Sequence, residues 1–387
     1  MVTMQSADNA LKTLYLGVVT DQLNTGINPL LAAIKKTSTD VWGKEIRRVA
    51  CYGVNGGVGA GTESGDLPAA GGNNYEQFVL TLKNLYGTVE ISDKAVRASE
   101  NNAGAFVNLL NAEMEGLVKA SSFNFGRMLF GDGTGTLCTV SAVSNGSVTV
   151  DTVKNVIEGM TVDFRDNSGV ISGFTGIRIT AVDRANKKIT FSKTITSSVT
   201  SGCIITVQGS YNNEITGLSA IFKNSGTLYG LDRSTHKWMV PYMKGSVGTI
   251  SEAEIQTAID YLEETADSKV NLIVCSSGVK RALAAVLAAR CYTPETTVLK
   301  GGYKAMLYNG IPIVSDRFCP AGTMYLLNTD DFVLHQLCDW QFLEGEDGKI
   351  LKQVAGKPVY TATLVKYADL LCLKPIGQAM LSGITEA

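Results

Sequence analysis

The chain has 387 residues, of which 45% are apolar and 18% charged: enough apolar material for two or three packed domains, and not the composition of a disordered chain. Lys and Arg number 34 against 36 Asp and Glu, giving a net charge of −2 with no long block of one sign. That excludes the basic stripe of a protein that grips nucleic acid through many phosphates. No run approaches the ~18 apolar residues of a membrane span. The short apolar stretch Leu14–Val19 meets Asp21 at once and has no basic segment before it, so neither a signal peptide nor a membrane contact is expected.

Eight cysteines, Cys51, Cys138, Cys203, Cys275, Cys291, Cys319, Cys338 and Cys372, are scattered singly. No pair has metal-ligand spacing, and the chain is not a small Cys-dense scaffold, so they read as buried apolar residues in a reducing cytosol.

Residues 1–45 read as an arm of short helices, with Asp8 a candidate cap for a segment ending near Gly17 and Asn28-Pro29 a start signal for Leu30–Lys36. The arm has too little apolar surface to fold alone. Ile46–Tyr52 and Tyr75–Ile91 are β-rich, and Phe78, Leu80 and Leu82 alternate with polar or smaller neighbours. Between them residues 53–72 hold eight glycines, which predicts a long two-stranded ribbon with a flexible tip. A lone ribbon is marginal in water, so it is expected to lie on another subunit. Residues 104–130 give the strongest helix, with Phe106, Leu110, Met114, Leu117, Val118, Phe125 and Leu129 at three- and four-residue steps. It stops at Gly131-Asp132-Gly133-Thr134-Gly135.

Residues 137–210 then read as all-β, a small barrel or sandwich inserted at loops. Beyond Tyr211 the pattern mixes α and β. Ser251-Glu252-Ala253-Glu254 forms a capping box, Asn271–Cys275 a buried strand and Ser277–Arg290 an Ala/Leu-rich helix. Asn309-Gly310 between Met306–Tyr308 and Ile311–Val314 signals a tight hairpin. Met324–Leu327 and Phe332–Leu337 flank a turn, and strands Val359–Tyr367 and Leu370–Leu373 close the chain.

One motif points to chemistry. Cys275-Ser276-Ser277-Gly278-Val279-Lys280-Arg281 matches the C-x2-G-x2-R loop of cysteine phosphatases, between an apolar strand and a helix, where a thiolate would attack phosphorus. Val274 stands where those enzymes usually have His, Ala282 where a hydroxyl residue usually follows the Arg, and no Asp general acid flanks the loop. A strand, a loop and a helix with a serine N-cap is the preferred reading. The glycine-rich stretches lack the Lys of a phosphate-binding loop. His236 and His335 stand far apart, and the pairs Glu263-Glu264 and Asp330-Asp331 read as solvated charge. No catalytic, metal or cofactor residue is assigned, and the chain is expected not to be an enzyme.

The order of elements carries a resemblance. Met128-Leu129-Phe130-Gly131-Asp132-Gly133-Thr134-Gly135 ends the long helix, and Ile215-Thr216-Gly217-Leu218 follows the insertion. Tyr229-Gly230-Leu231-Asp232-Arg233-Ser234 with Trp238, Gly310-Ile311-Pro312-Ile313-Val314 with Asp316, and Tyr325-Leu326-Leu327-Asn328 come next. Over essentially its whole length the chain resembles the major capsid proteins of tailed bacteriophages, with the Hong Kong 97-like α+β fold. The resemblance implies an N-terminal arm at 1–45, an extended loop at 46–90, and a peripheral domain at 91–136 with a spine helix at 104–130. It further implies a β insertion domain at 137–210, more peripheral domain at 211–250, an axial domain at 251–330 and return strands at 331–387. The implied function is structural: self-assembly into pentamers and hexamers of an icosahedral head around double-stranded DNA, in a virion assembled in the bacterial cytoplasm. Implied partners are the chain itself, a portal, a scaffold and possible decoration proteins, with no membrane partner. An encapsulin-like cargo shell is the alternative of the same fold, and the Cys275–Arg281 phosphatase loop the alternative of another class.

Overall fold

A computed structural model describes residues 28–39, 41, 45–94, 103–144, 146–196, 198–289, 296–299, 302–345, 348 and 350–387. The expected helix ending near Gly17 and the side chains of Phe106 and Leu110 lie outside the described residues. Helix α1 (Pro29–Ala33) starts where Asn28-Pro29 signals it: the Asn28 carbonyl oxygen accepts from Leu31 N at 3.1 Å, and Pro29 takes the first turn, where its missing N–H costs nothing. It ends at Ala33, short of Lys36, because the next residues form β1 (Lys35–Thr37), which pairs in parallel with Val333–His335. Leu30, Leu31 and Ile34 are buried in the main core, so this part of the arm rests on its own subunit.

Strands β2 (Ile46–Tyr52) and β3 (Asn74–Leu80) form the ribbon, antiparallel from Ile46↔Leu80 to Tyr52↔Asn74. The returning strand was expected to run on to Ile91. Instead it ends at Leu80, and β4 (Lys83–Ser92) leaves the ribbon for a different partner, pairing with residues 359–368. The alternation slips by one residue at the break: Phe78 and Leu80 are buried in β3, and Leu85 and Ile91 in β4. Helix α2 (Ala103–Phe130), 28 residues and about 42 Å long, buries Met114, Val118, Phe125 and Leu129.

Next come β5 (Thr136–Ser144), β6 (Ser147–Val150), β7 (Thr161–Asp166), β8 (Gly169–Val170), β9 (Ile177–Asp183), β10 (Lys188–Phe191) and β11 (Ile204–Val207). They run in the order β11-β5-β6-β10-β9-β7, and β7 pairs back to β11, closing a barrel that leaves no free edge around the ring. Its core is built wholly from residues 137–205, with Val148, Val162, Phe164, Ile189 and Ile205 fully buried. Asp163 is buried too, its carboxylate accepting from Gly176 N at 2.8 Å and Gly209 N at 2.9 Å. The two ends of the barrel segment meet where Asn212 N donates to Thr134 O at 3.1 Å.

The chain continues through α3 (Leu218–Ile221), β12 (Thr227–Leu228), β13 (Leu231–Asp232), β14 (Tyr242–Lys244), α4 (Glu252–Ala266), β15 (Leu272–Cys275) and α5 (Ser277–Ala289). It then forms β16 (Thr296–Val298), β17 (Lys304–Tyr308), β18 (Ile311–Ser315), β19 (Met324–Leu327), β20 (Phe332–Phe342), β21 (Lys352–Gln353), β22 (Val359–Cys372) and β23 (Ala379–Leu381). Ser251 caps α4 as expected, accepting from Glu254 N at 3.3 Å, but the Glu254 carboxylate turns to Lys244 at 2.6 Å instead of closing the box. Asn309 and Gly310, at φ 47° and 81°, make the tight β17–β18 turn. The two expected closing strands are one, β22, unbroken through Ala368 and Asp369 because β20 and β4 both pair along it.

Two larger sheets result. One is β1-β20-β22-β21 with β4 also on β22; the other runs β14-β23-β19-β15-β18-β17-β16. The second sheet shows why its strands are apolar on both sides. Ile273, Cys275, Ile313, Met324 and Leu326 pack under α4 and α5, while Leu272, Val274, Val314, Tyr325 and Leu327 join the main core.

The start of α3 sits on the end of α2. Ser219 Oγ donates to Phe130 O at 2.6 Å, satisfying one of the carbonyls that a helix end leaves open. A Cβ on Gly217 would strike the carbonyl oxygens of Met128, Gly131 at 2.5 Å and Leu129 at 2.8 Å. This is why the Gly131 stop and the Gly217 step belong together although 86 positions separate them in the chain. Gly217→Ala is expected to cost about 3 kcal/mol in denaturant titrations; a loss below about 0.5 kcal/mol would show that the joint relaxes freely.

Candidate assembly surface

The Cys275 loop has a phosphatase outline without the corresponding chemistry. Its thiol is fully buried, donates to Val314 O at 3.5 Å and is pushed up to about 12 by burial, the reverse of an activated nucleophile. The helix cap is Ser276, whose hydroxyl oxygen accepts from Val279 N at 3.4 Å. The cradle is filled by the chain itself: Ser276 Oγ and Gly322 N both donate to the Glu386 carboxylate, the latter at 2.7 Å, and Arg281 Nε donates to Ala387 O at 2.8 Å. Burial works against the Glu386 charge, yet those two bonds hold it below the usual carboxylate range. His335 lies buried in β20, whereas His236 packs edge-on to Trp238 at 6.1 Å. Glu263 and Glu264 are exposed, as solvated charge should be, but Asp331 is partly buried and accepts from Gln378 Nε2 at 3.0 Å.

Two buried carboxylates mark joints of the body. Asp369 receives Thr216 N at 2.6 Å and Leu370 N at 2.9 Å, and burial pushes it up to about 6. Asp316 receives Phe318 N at 2.8 Å, its second oxygen has no hydrogen-bond partner among the described residues, and burial likewise pushes it up to about 6. Lys154 of the barrel reaches the same turn, donating to Cys319 O. A raised acid pKa contributes stability that is complete below the ordinary Asp value of about 3.9 and is lost as pH rises through about 6. Asp316→Asn keeps the acceptor for Phe318 and cannot ionise. It is therefore expected to raise stability by roughly 2 kcal/mol at pH 8 and by nothing at pH 4; thermal melts across that range check the sign.

The ribbon has two unlike halves. At its base Tyr52 stacks on Trp238 with ring centroids 5.0 Å apart and planes 6° from parallel. Phe78 lies 5.6 Å from Tyr229 and 5.8 Å from Trp238. Val79 N donates to Tyr229 O at 2.9 Å, and Tyr229 is itself fixed by donating from its hydroxyl to Leu370 O at 3.0 Å. The expectation that the whole ribbon depends on a neighbour is thus corrected: its base is clamped to its own chain. Aromatic residues more than 150 positions away supply the clamp, which no local pattern signals.

Beyond Tyr52 the ribbon has no such support. Val54, Val58 and Leu67 are 84%, 89% and 89% exposed, and on the ribbon's outer face Val49 and Tyr75 are 65% and 61% exposed. Two of the tip glycines have a specific task. A Cβ on Gly57 would meet Gly71 N at 2.7 Å, and one on Gly71 would meet Gly57 N, so the two backbones cross where only glycine fits. A groove of about 260 Å³ lies over the first sheet, lined by Val41, Ile46, Leu82, Leu337 and Tyr367 together with the polar Glu45 and Asn84. Leu337 and neighbouring Tyr86 are more than half exposed there.

No protein-family model matches the sequence, and no curated protein matches it. Among solved structures the chain is similar to the cyanophage A-1(L) capsid subunit, at 14% identity over 93% of this chain and 94% of that one, with a TM-score of 0.59. The chain has the Hong Kong 97-like capsid fold. Lower similarity extends to the capsid of Myoviridae phage XM1, at 10% identity, 93% and 92% coverage and a TM-score of 0.48. It extends also to the SrpI encapsulin of Synechococcus elongatus PCC 7942, at 10% identity, 92% and 88% coverage and a TM-score of 0.45. With so few identities to the cyanophage subunit, what the capsid fold preserves is the order and packing of elements, the same property on which the sequence resemblance rests.

Proposed function

We propose that this chain is the major capsid protein of a tailed bacteriophage, whose identical copies close into pentamers and hexamers and then into an icosahedral head around double-stranded DNA. The observation that carries this reading is the ribbon: anchored at its base by Trp238 and Tyr229, it carries Val54, Val58 and Leu67 out into water on a capsid fold. Such a device has no purpose in an isolated subunit and an evident one against a second copy. In this reading residues 46–80 are the extended loop, α2 is the spine helix of a peripheral domain and the closed barrel is an insertion domain. The sheet carrying α4 and α5 belongs to the axial domain. The role is physical and not catalytic, and the buried Cys275 thiol, with its cradle filled by Glu386, supports that. Portal, scaffold and decoration proteins are the expected partners, the virion the expected location, and the DNA is enclosed without sequence recognition, as the charge of −2 allows. Purified full-length protein under negative stain tests the proposal. Closed shells are expected. A monodisperse monomer at all concentrations and salts overturns it, and shells that hold discrete protein cargo from their own host would replace it with a cargo compartment.

A further inference from the structure

Closed rings of identical subunits need two different surfaces per subunit, one fitting the other on the next copy. The sheet that carries α4 and α5 has such a pair. Residues 251–268 contain six Asp or Glu and no Lys or Arg, whereas residues 277–308 contain five Lys or Arg and one Glu. Glu254 is bonded to Lys244 of its own subunit, while Asp260, Glu263, Glu264 and Asp267 are exposed. At the other charge pole stand Lys280, Arg281 and Lys304, close enough that Lys280 Nζ donates to Lys304 O at 3.2 Å. Like charges held together in this way gain from an acidic partner.

The two poles lie at opposite ends of one strand. At the far end of β17, Tyr308 and the following Asn309 donate to Gln256 of α4 at 3.0 and 3.2 Å, while Lys304 begins the same strand at the basic end. Four residue steps of about 3.3 Å separate them, roughly 13 Å of backbone, too far for the poles to neutralise each other within one subunit. Each pole also has an exposed apolar anchor. Tyr261 is 41% exposed on α4, backed by Tyr242 with ring centroids 4.5 Å apart, and Val298 is 65% exposed on edge strand β16, which pairs with β17. Glu386, held ionised by Ser276 and Gly322, and Arg281, which donates to Ala387 O, leave Lys280 and Lys304 as the charges this end offers.

We infer that the acidic face of α4 on one copy docks against the Lys280–Lys304 end of the next, head to tail, and that this contact closes the ring. The inference rests on the capsid reading and names the partner of one of its surfaces. Of the four residues to be reversed Glu263, Glu264 and Lys304 are exposed and Lys280 is half-buried, so the fold should stay intact, which circular dichroism checks. One variant carries Glu263→Lys and Glu264→Lys; the other carries Lys280→Glu and Lys304→Glu. Each alone sets like charges at positions 263 and 264 of one copy against positions 280 and 304 of the next, and is expected to stay monomeric in sedimentation at about 0.1 M salt. Mixed in equal amounts, each variant supplies what the other lost, but only by alternating around the ring. Native mass spectrometry should then show even-numbered rings and no pentamers. The wild type is expected to lose about tenfold or more in association constant between 0.1 and 1 M salt. If both variants close rings as the wild type does, or the mixture stays monomeric, the charge-pole contact is wrong and the capsid reading stands. If the wild type itself closes no rings under any condition, the capsid reading falls and takes this contact with it.

Discussion

Replacing Arg127 with methionine is expected to destabilise the subunit by about 3–5 kcal/mol. Arg127 ends the α2 helix region at 4% exposure and bonds to Glu214, itself 2% exposed, in the loop through which the chain returns from the barrel. The guanidinium also donates twice to Asn124 Oδ1, at 3.2 and 3.1 Å, so its geometry is held from both sides. Two charges out of water cost much and recover it only through each other. Removing one strands the other in a buried site, and that stranded charge, not the lost attraction, sets the size of the effect. Glu214→Gln should therefore cost a similar amount although it preserves shape. The double variant Arg127→Met with Glu214→Leu should recover most of the loss, because no uncompensated charge remains. A double-mutant cycle by denaturant titration separates the cases. Simple additivity of the two single losses would mean that the pair contributes nothing as a pair.

This joint also shows which parts of the protein are legible in its sequence. Period and punctuation are local, so features built from them can be read: the α2 stripe of Met114, Val118, Phe125 and Leu129, the Ser251 cap and the Asn309-Gly310 turn all stand in the structure. The barrel strands show the same rule, since alternation marks which residues face inward and closure follows once every edge has found a neighbour. Partners are not local. The break between β3 and β4, the clamp of Trp238 and Tyr229 on the ribbon, and Glu386 filling the Cys275 cradle each join residues more than 100 positions apart or divide residues that are adjacent. The Arg127–Glu214 pair spans 87 positions and neither residue is unusual in its own neighbourhood. The α1 helix ends early for the same reason: pairing of Lys35–Thr37 with β20 outweighs a helical tendency that five residues cannot sustain. For the assembly surface, the sequence places the ribbon and its glycine-rich tip. Only the packed structure separates the half that is anchored from the half that is offered.

That division yields the second large effect, and it concerns assembly alone. Val54→Ser, Val58→Ser and Leu67→Ser together should leave the melting of the isolated subunit unchanged, because at 84–89% exposure these side chains bury almost nothing within their own chain. Against a neighbour, each would be removed from water, and an apolar side chain contributes about 1.5–3 kcal/mol when fully buried. Even partial burial of all three amounts to about 4 kcal/mol per subunit, a factor of about a thousand in each association step, multiplied over every contact of a closed shell. The triple variant is therefore expected to sediment as free subunits or small rings at concentrations where the wild type forms shells. Trp238→Ala is the control with the opposite signature: it removes the stack with Tyr52 and the contact with Phe78, so it should lower subunit stability by about 3–5 kcal/mol and impair assembly as a consequence. Normal shells from the triple variant would show that the tip is not a contact and would shift the burden to the groove of Ile46, Leu82 and Tyr367. A large drop in subunit stability from the tip substitutions would instead show that the tip folds back onto its own body, which is the one arrangement a draped ribbon excludes.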